Sequence, residues 1–440
     1  MIEQSTPLAI INGRVIDPAS GIDELADVVI EDGYVTHLGA GASKVTPRAT
    51  KINATGLIVS PGFVDLHTHL RTPGQEHKET IETGATAAAA GGFTTICQMP
   101  NTDPALDSQD RVEEAHKRAS DSLIRVLTVG AITKERAGQE LVSFDELANA
   151  GVVAFSDDGD FVEDMALMTD AYYRSAVLRI PISQHCESPA LVDGGVVHHG
   201  TVATQLGVAG RPAEGEDTAV AREIALATLT GGHAHIQHVS TAGAVSLIRD
   251  AKERGVSITA EVTPHHLVLT DHALLDVEPS EPYNTNAKCN PPLREESDVA
   301  ACVTGLVDGT IDAIATDHAP HSPQEKALSL VDAPAGMIGL ETALPYVMRV
   351  INAGDIQLAS AIERLTLGPV RAWHLDRQLT LPGLGTLGIG APGDVALIDP
   401  DAKWLVGVDT LCSRSQNTPL LGQQVIGRVV ATVASGVLVH

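Results

Sequence analysis

Asp65-Leu66-His67-Thr68-His69 closes an apolar run, and two histidines one residue apart on an extended chain project to the same side. His67 and His69 therefore make a two-point clamp for a divalent ion. Other apolar runs close on metal-capable groups as well: Asp157-Asp158-Gly159, His185-Cys186-Glu187, His238-Val239-Ser240 and Asp317-His318-Ala319-Pro320-His321. Each has a plain explanation by itself, since a histidine at a strand end caps backbone groups and Asp-Asp-Gly makes turns. Their recurrence at the ends of successive runs is what points to one site. Imidazole and carboxylate donors suit Zn²⁺, with Mn²⁺ or Co²⁺ as substitutes, and one shared carboxylate would bridge two ions. Asp157 and Asp158 face opposite sides of an extended chain, so the residues alone leave open which of them bridges.

The runs that carry these groups read as eight strands: 57–67, 93–99, 123–132, 152–157, 179–185, 233–239, 256–263 and 312–317. They alternate with longer, charge-bearing stretches such as 109–120 and 217–229, whose apolar residues recur at three- and four-residue spacing. Strand–helix alternation of this kind builds a buried parallel sheet, and eight repeats predict an α/β fold closed into a (β/α)8 barrel. Active sites in such barrels lie at the C-terminal rim of the strands, where the polar groups fall. The first ~56 and last ~55 residues read instead as short strands with tight turns at Asp32-Gly33 and Ser435-Gly436. Each is too small to be stable alone, so the two are expected to join. The predicted domains are 1–56 and 385–440, forming one small β domain, with the barrel over 57–384.

Composition narrows the function. The 440 residues exceed one ordinary core but accommodate a barrel and a companion domain. Five cysteines, Cys97, Cys186, Cys289, Cys302 and Cys412, form no CxxC pair, which suits neither a disulfide framework nor a thiolate zinc site. A formal net charge of −27 argues against nucleic acid and anionic membranes. No apolar run approaches the ~20 residues of a membrane span, and the acidic start MIEQSTPLAI is unlike a secretion leader, so a cytoplasmic location is expected.

The runs GFVDLHTHLRTPG, QMPNT, FSDDG, HCE, HVST, AEVTPHHL, CNPPLR, DGTIDAIATDHAPH and GLETALP, in order along nearly the whole chain, closely resemble the dihydroorotases of the amidohydrolase superfamily. The resemblance implies a TIM barrel with a small discontinuous β-sandwich built from both termini. It implies that His67, His69, Asp158 and Asp317 hold one zinc ion and Asp158, His185 and His238 a second, with Asp158 bridging. Many relatives bridge their metals with a carbamylated lysine. No lysine occurs between Lys134 and Lys252, so such a bridge from strands four to six is excluded and the chain resembles the dihydroorotases that use aspartate.

The implied reaction is the reversible opening of (S)-dihydroorotate to N-carbamoyl-L-aspartate in pyrimidine biosynthesis. Water ionised by the metals attacks the cyclic amide, and Asp317 serves as general base and then acid. Arg71, on the loop after His69, is the candidate cation for the substrate carboxylate. The resemblance adds Asn101, Asn290, His321 and the backbone at Ala335-Gly336 as substrate contacts, with His69 also facing the ligand. Thr72 and Ala335 depart from the family pattern, which puts the orientation of Arg71 and the packing near residue 335 in question. The stretch after His321, irregular and beside Asp317, is expected to cover the substrate. A homodimer and an association with aspartate transcarbamoylase are further expectations of the resemblance. Two rival readings are a hydantoinase- or allantoinase-like cyclic amidase, opposed by the missing lysine and by Arg71 and Asn101, and a non-catalytic scaffold subunit, opposed by the full ligand set.

Overall fold

Gly62 divides the molecule. A side chain there would clash with Thr94, so the backbone passes close to its neighbour at this point, and the run expected as one strand over 57–67 is two. Ile58–Pro61 pairs with strands Leu8–Asp17 and Val395–Leu405, whereas Phe63–Thr68 pairs with Phe93–Gln98. The terminal sheet thus reaches Pro61, beyond the boundary expected at residue 57. The computed structural model describes residues 6–277 and 282–440; the reading of residues 1–5 as unlike a leader lies outside them.

Both chain ends join in one sheet. Its order runs Val437–Leu438, Gln424–Ala434, Val395–Leu405, Ile58–Pro61, Leu8–Asp17, Ile22–Glu31 and Tyr34–Gly39, with Thr50–Asn53 beside Leu8–Asp17. Asp32-Gly33 and Ser435-Gly436 make its tight turns; all four residues have positive φ, the backbone that matches the twist of a two-residue hairpin. Apolar side chains on this sheet, among them Ile10, Val28, Val59, Leu397 and Val433, pack into one buried cluster.

Between these ends, short strands are joined only by parallel pairings. Phe63–Thr68, Phe93–Gln98 and Arg125–Thr128 form one ladder; Ile182–Gln184, Ala234–Ile236, Ile258–Val262 and Ala313–Ile314 form another. Single bridges from Phe155 to Gly130 and Ile182, and from Thr68 to His318, connect the two ladders into a circuit. The strand expected over 152–157 is therefore present only as the bridging residue Phe155. Its neighbour Pro181 has no N–H to donate, and the Asp157 carboxylate, rather than a ladder carbonyl, receives the Ile132 and Thr133 amides.

Helices fill the returns, including Ile81–Ala90, Gln109–Ala119, Met165–Leu178, Glu214–Thr230, Ala242–Glu253 and Glu296–Asp308. Several open on a side-chain cap: Thr80 accepts the Thr83 amide, Asp164 those of Ala166 and Leu167, and Thr241 that of Ala244. Apolar residues of strands and helices, such as Ile96, Phe155, Ile182, Ile236, Val245 and Ile248, share the largest buried cluster. That packing fixes the strand ends from which the polar groups project.

Candidate metal centre

Six polar side chains from five strand ends converge. His67 Nε2 lies 3.3 Å from Asp158 Oδ1 and 3.5 Å from Asp317 Oδ1; His69 Nε2 lies 2.9 Å from Asp317 Oδ1 and 3.5 Å from Asp158 Oδ2. On the other side of Asp158, His185 Nδ1 is 2.9 Å from His238 Nε2, and these atoms are 4.0 and 3.8 Å from Asp158 Oδ1. Two groups of donor atoms result, His67–His69–Asp158 and Asp158–His185–His238, each within a 4.8 Å span, with Asp158 common to both. Asp157, the alternative left open by the sequence, turns the other way and accepts the amides of Ile132 at 2.8 Å and Thr133 at 3.1 Å.

These donors fit divalent cations. His67 Nε2 and Asp158 Oδ1 are buried with no hydrogen-bond partner, a costly arrangement unless something else satisfies them. Nitrogen and carboxylate oxygen without sulfur is the donor chemistry of zinc and its close substitutes. Burial opposes the charged forms here, yet the carboxylates of Asp158 and Asp317 hold the His67 ring well above its ordinary range. Reciprocally, against the same burial, His67 and neighbouring histidines hold the carboxyls of Asp158 and Asp317 below theirs. Three residues at the site, Arg71, His238 and Asp317, adopt positive φ, and such left-handed backbone in non-glycine residues stores strain that surrounding packing must sustain.

A second layer orients the histidines. Glu261 accepts from His67 Nδ1 at 2.7 Å and from His235 Nε2 at 3.1 Å; Asn101 Oδ1 accepts from His69 Nδ1 at 2.8 Å; Glu187 accepts from His185 Nε2 at 3.2 Å and Arg211 at 2.7 Å. Partners of this kind select which ring nitrogen faces a metal. Sequence reasoning misses these roles of Glu261 and Glu187. A carboxylate inside the apolar strand Ile258–Val262 is the available signal, because a buried charge requires partners.

The centre opens into a cavity of about 290 Å³ lined by every residue expected to touch substrate: His69, Arg71, Asn101, Asn290, His321, Ala335 and Gly336. His67 lies beneath it, fully buried. Asn101 lines the cavity with its oxygen accepting from His69 Nδ1 and its Nδ2 donating to Asp158 Oδ2 at 3.3 Å. Arg71 is mostly buried, and its Nε donates to the Pro320 carbonyl at 3.2 Å. Burial lowers its pKa to about 10, which leaves it charged at neutral pH. Among the described residues no carboxylate lies within 4.0 Å of that guanidinium, in a chain with a net charge of −27. The stretch after His321 forms part of the cavity wall, and buried lysines brace it: Lys288 Nζ donates to Leu330 O at 2.8 Å and Ala333 O at 2.6 Å, Lys326 Nζ to Pro334 O at 2.9 Å. No helix among the described residues is long and apolar enough to cross a membrane.

The chain is similar along nearly its whole length to known proteins. The family description "Dihydro-orotase-like" matches residues 56–244. The chain is 48% identical over 438 residues to a protein from Anaeromyxobacter sp. (strain K) named dihydroorotase, covering 99% of this chain and 98% of that one. It is 45% identical over 429 residues to the Geotalea daltonii protein of the same name, covering 97% and 98%. Among solved structures, the L-hydantoinase (dihydropyrimidinase) of Arthrobacter aurescens superposes with a TM-score of 0.86 at 25% identity, covering 99% of this chain and 96% of that one. The dihydropyrimidinase of Brevibacillus agri NCHU1002, at 24% identity and a TM-score of 0.84 over 98% and 95% of the two chains, shares the fold. With nearly half its residues identical to named relatives over almost its full length, this chain belongs to the dihydroorotase family.

Proposed function

We propose that the site interconverts (S)-dihydroorotate and N-carbamoyl-L-aspartate, with the circuit of parallel strands serving as the (β/α)8 barrel and the terminal sheet as its β-sandwich companion. Two zinc ions, replaceable by Mn²⁺ or Co²⁺, would be held by His67, His69, Asp158 and Asp317 on one side and by Asp158, His185 and His238 on the other. Asp158 takes the place of the carbamylated lysine of other cyclic amidases, in keeping with the lysine-free span from 135 to 251. The observation that carries this reading is the sharing of Asp158 between two donor groups that open on one cavity with Arg71.

When bound, the ions supply positive charge that makes a water molecule acidic near neutral pH and polarises an amide carbonyl. The residues do the rest. Arg71 receives the ring carboxylate through paired hydrogen bonds, while Asn101, Asn290, His321 and the Ala335-Gly336 backbone fix the ring. The Asp317 carboxylate, held ionised by the neighbouring histidines, takes the proton from the attacking water and delivers it to the departing amide nitrogen. In the reverse direction the same group deprotonates the carbamoyl nitrogen as the ring closes.

The test is ultraviolet loss of dihydroorotate on adding purified protein, repeated after chelation and after restoring zinc. Turnover that vanishes on chelation and returns with zinc is expected. Turnover surviving in protein shown to be metal-free, or absent from protein carrying two ions, would overturn the reading.

A further inference from the structure

Asn417 belongs to the terminal sheet's connection between Val395–Leu405 and Gln424–Ala434, yet only 3% of it is exposed. Its Oδ1 accepts the His321 amide at 3.0 Å, and its Nδ2 donates to the carbonyls of Ala319 and Gly336, both at 3.0 Å. Its own carbonyl accepts the Ile338 amide, also at 3.0 Å. A primary amide offers donors and an acceptor from one small planar group, and here both sides of it are taken by main-chain atoms. All of those atoms lie at the two ends of one segment, 319–338.

That segment carries His321, Ala335 and Gly336 to the cavity wall. Its ends also meet directly, through the Ala319 amide on the Met337 carbonyl at 2.9 Å and the bridge of His318 to Met337. Across the closure, His321 Nε2 donates to Ala335 O at 2.9 Å. The Gly336 carbonyl receives Lys326 Nζ at 3.1 Å in addition to Asn417. Arg71 is drawn into the same arrangement, because its Nε donates to Pro320 O, one residue from the carbonyl that Asn417 holds. An arm of one domain thus reaches the wall of a cavity built by the other.

We propose that Asn417 is a positioning residue for substrate: it clasps the ends of the 319–338 segment so that His321, Ala335-Gly336 and, through Pro320, Arg71 stand at the spacing an acidic ring requires. The proposal rests on the dihydroorotate reading above. Among the described residues the Asn417 side chain hydrogen-bonds only main-chain atoms and no side chain of the metal site, so its contribution falls on substrate binding rather than on the proton transfers at Asp317. Alanine leaves the His321 amide and the Ala319 carbonyl without their partner and the Gly336 carbonyl with Lys326 alone. Aspartate, of the same shape, keeps the acceptor for His321 but sets a carboxylate oxygen against two carbonyl oxygens.

The experiment compares Asn417→Ala and Asn417→Asp with the wild-type protein, each carrying its full zinc content. KM for dihydroorotate should rise about 10-fold or more in both, with kcat changed less than about threefold. Hydrogen exchange supplies a readout that needs no substrate: in Asn417→Ala, which loses the acceptor, the His321 amide should exchange about 10-fold faster or more, while Ile338, bonded to the main chain of residue 417, stays protected. Wild-type KM in folded variants overturns the proposal, as does a fall in kcat with KM unchanged or an unaltered His321 amide in Asn417→Ala. Should Asn417→Ala fail to fold, Asn417→Ser takes its place, with the same outcomes decisive. A wild-type protein inert toward dihydroorotate sinks the substrate reading, and His321 exchange then still decides whether the clasp exists.

Discussion

Glu261 accepts a hydrogen bond from His67 Nδ1 at 2.7 Å, which turns the other ring nitrogen, Nε2, toward Asp158 at 3.3 Å. Burial works against a charged Glu261, but hydrogen bonds from His235 and His67 outweigh it and lower its pKa to about 2. An ionised carboxylate behind the ring raises the basicity of the nitrogen in front.

Replacing Glu261 with glutamine keeps the shape and removes the charge. Metal affinity should fall about 10- to 100-fold, the range found when such outer partners are lost. Zinc retained after dialysis against graded chelator measures this. Retention equal to wild type would show that His67 needs no carboxylate to present Nε2.

Asp317 lies 2.9 Å from His69 Nε2 and lines the cavity. An asparagine at this position could still offer an oxygen to a metal but accepts no proton, so Asp317→Asn should lower kcat by about 10²-fold or more with zinc content unchanged. Full activity in that variant would remove Asp317 from the proton transfers.

Much of this centre is legible in sequence because its donors are consecutive with strand ends: His67 and His69 sit one residue apart, and His185, His238 and Asp317 each terminate an apolar run. Periodicity conveys which residues share a face but not which face looks inward. Asp157 and Asp158 therefore stay equivalent until Ile132 and Thr133 are seen to occupy Asp157. The break at Gly62 is hidden for a similar reason, since the apolar character of 57–67 continues through it and only the approach of Thr94 reveals two strands. Asn417 is the extreme case. Asn-Thr-Pro reads locally as a turn, and its three partners lie about 80 to 100 residues away in sequence, where no local pattern reports them.

Arg71 is a charged group at neutral pH with no carboxylate partner among the described residues, on the wall of the cavity. Charge-assisted hydrogen bonds to a substrate carboxylate contribute about 1.5–3 kcal/mol, equivalent to about 10- to 150-fold in affinity. Arg71→Met should raise KM for dihydroorotate by that order and leave KM for a neutral dihydropyrimidine nearly unchanged. Equal effects on both rings would place Arg71 outside the carboxylate subsite.

Glu341 links the approach to helix Ala343–Ala353 with the arm that carries Asn417: one carboxyl oxygen accepts the Cys412 amide at 2.7 Å, the other that of Ser413 at 3.0 Å. Burial, reinforced by the nearby Glu79, raises its pKa from 4.5 to about 7. The folded protein thus holds this proton more tightly than the unfolded chain. The stabilisation is complete below pH 4.5 and is lost as pH rises toward 7, where the unfolded carboxyl has ionised and the folded one follows. Glu341→Gln is neutral throughout and escapes that loss. The Tm of the variant minus that of the wild type should therefore climb between pH 4.5 and 7 and level off above. Differential scanning calorimetry across that window measures it, and a difference independent of pH would mean that Glu341 titrates alike in the folded and unfolded chain.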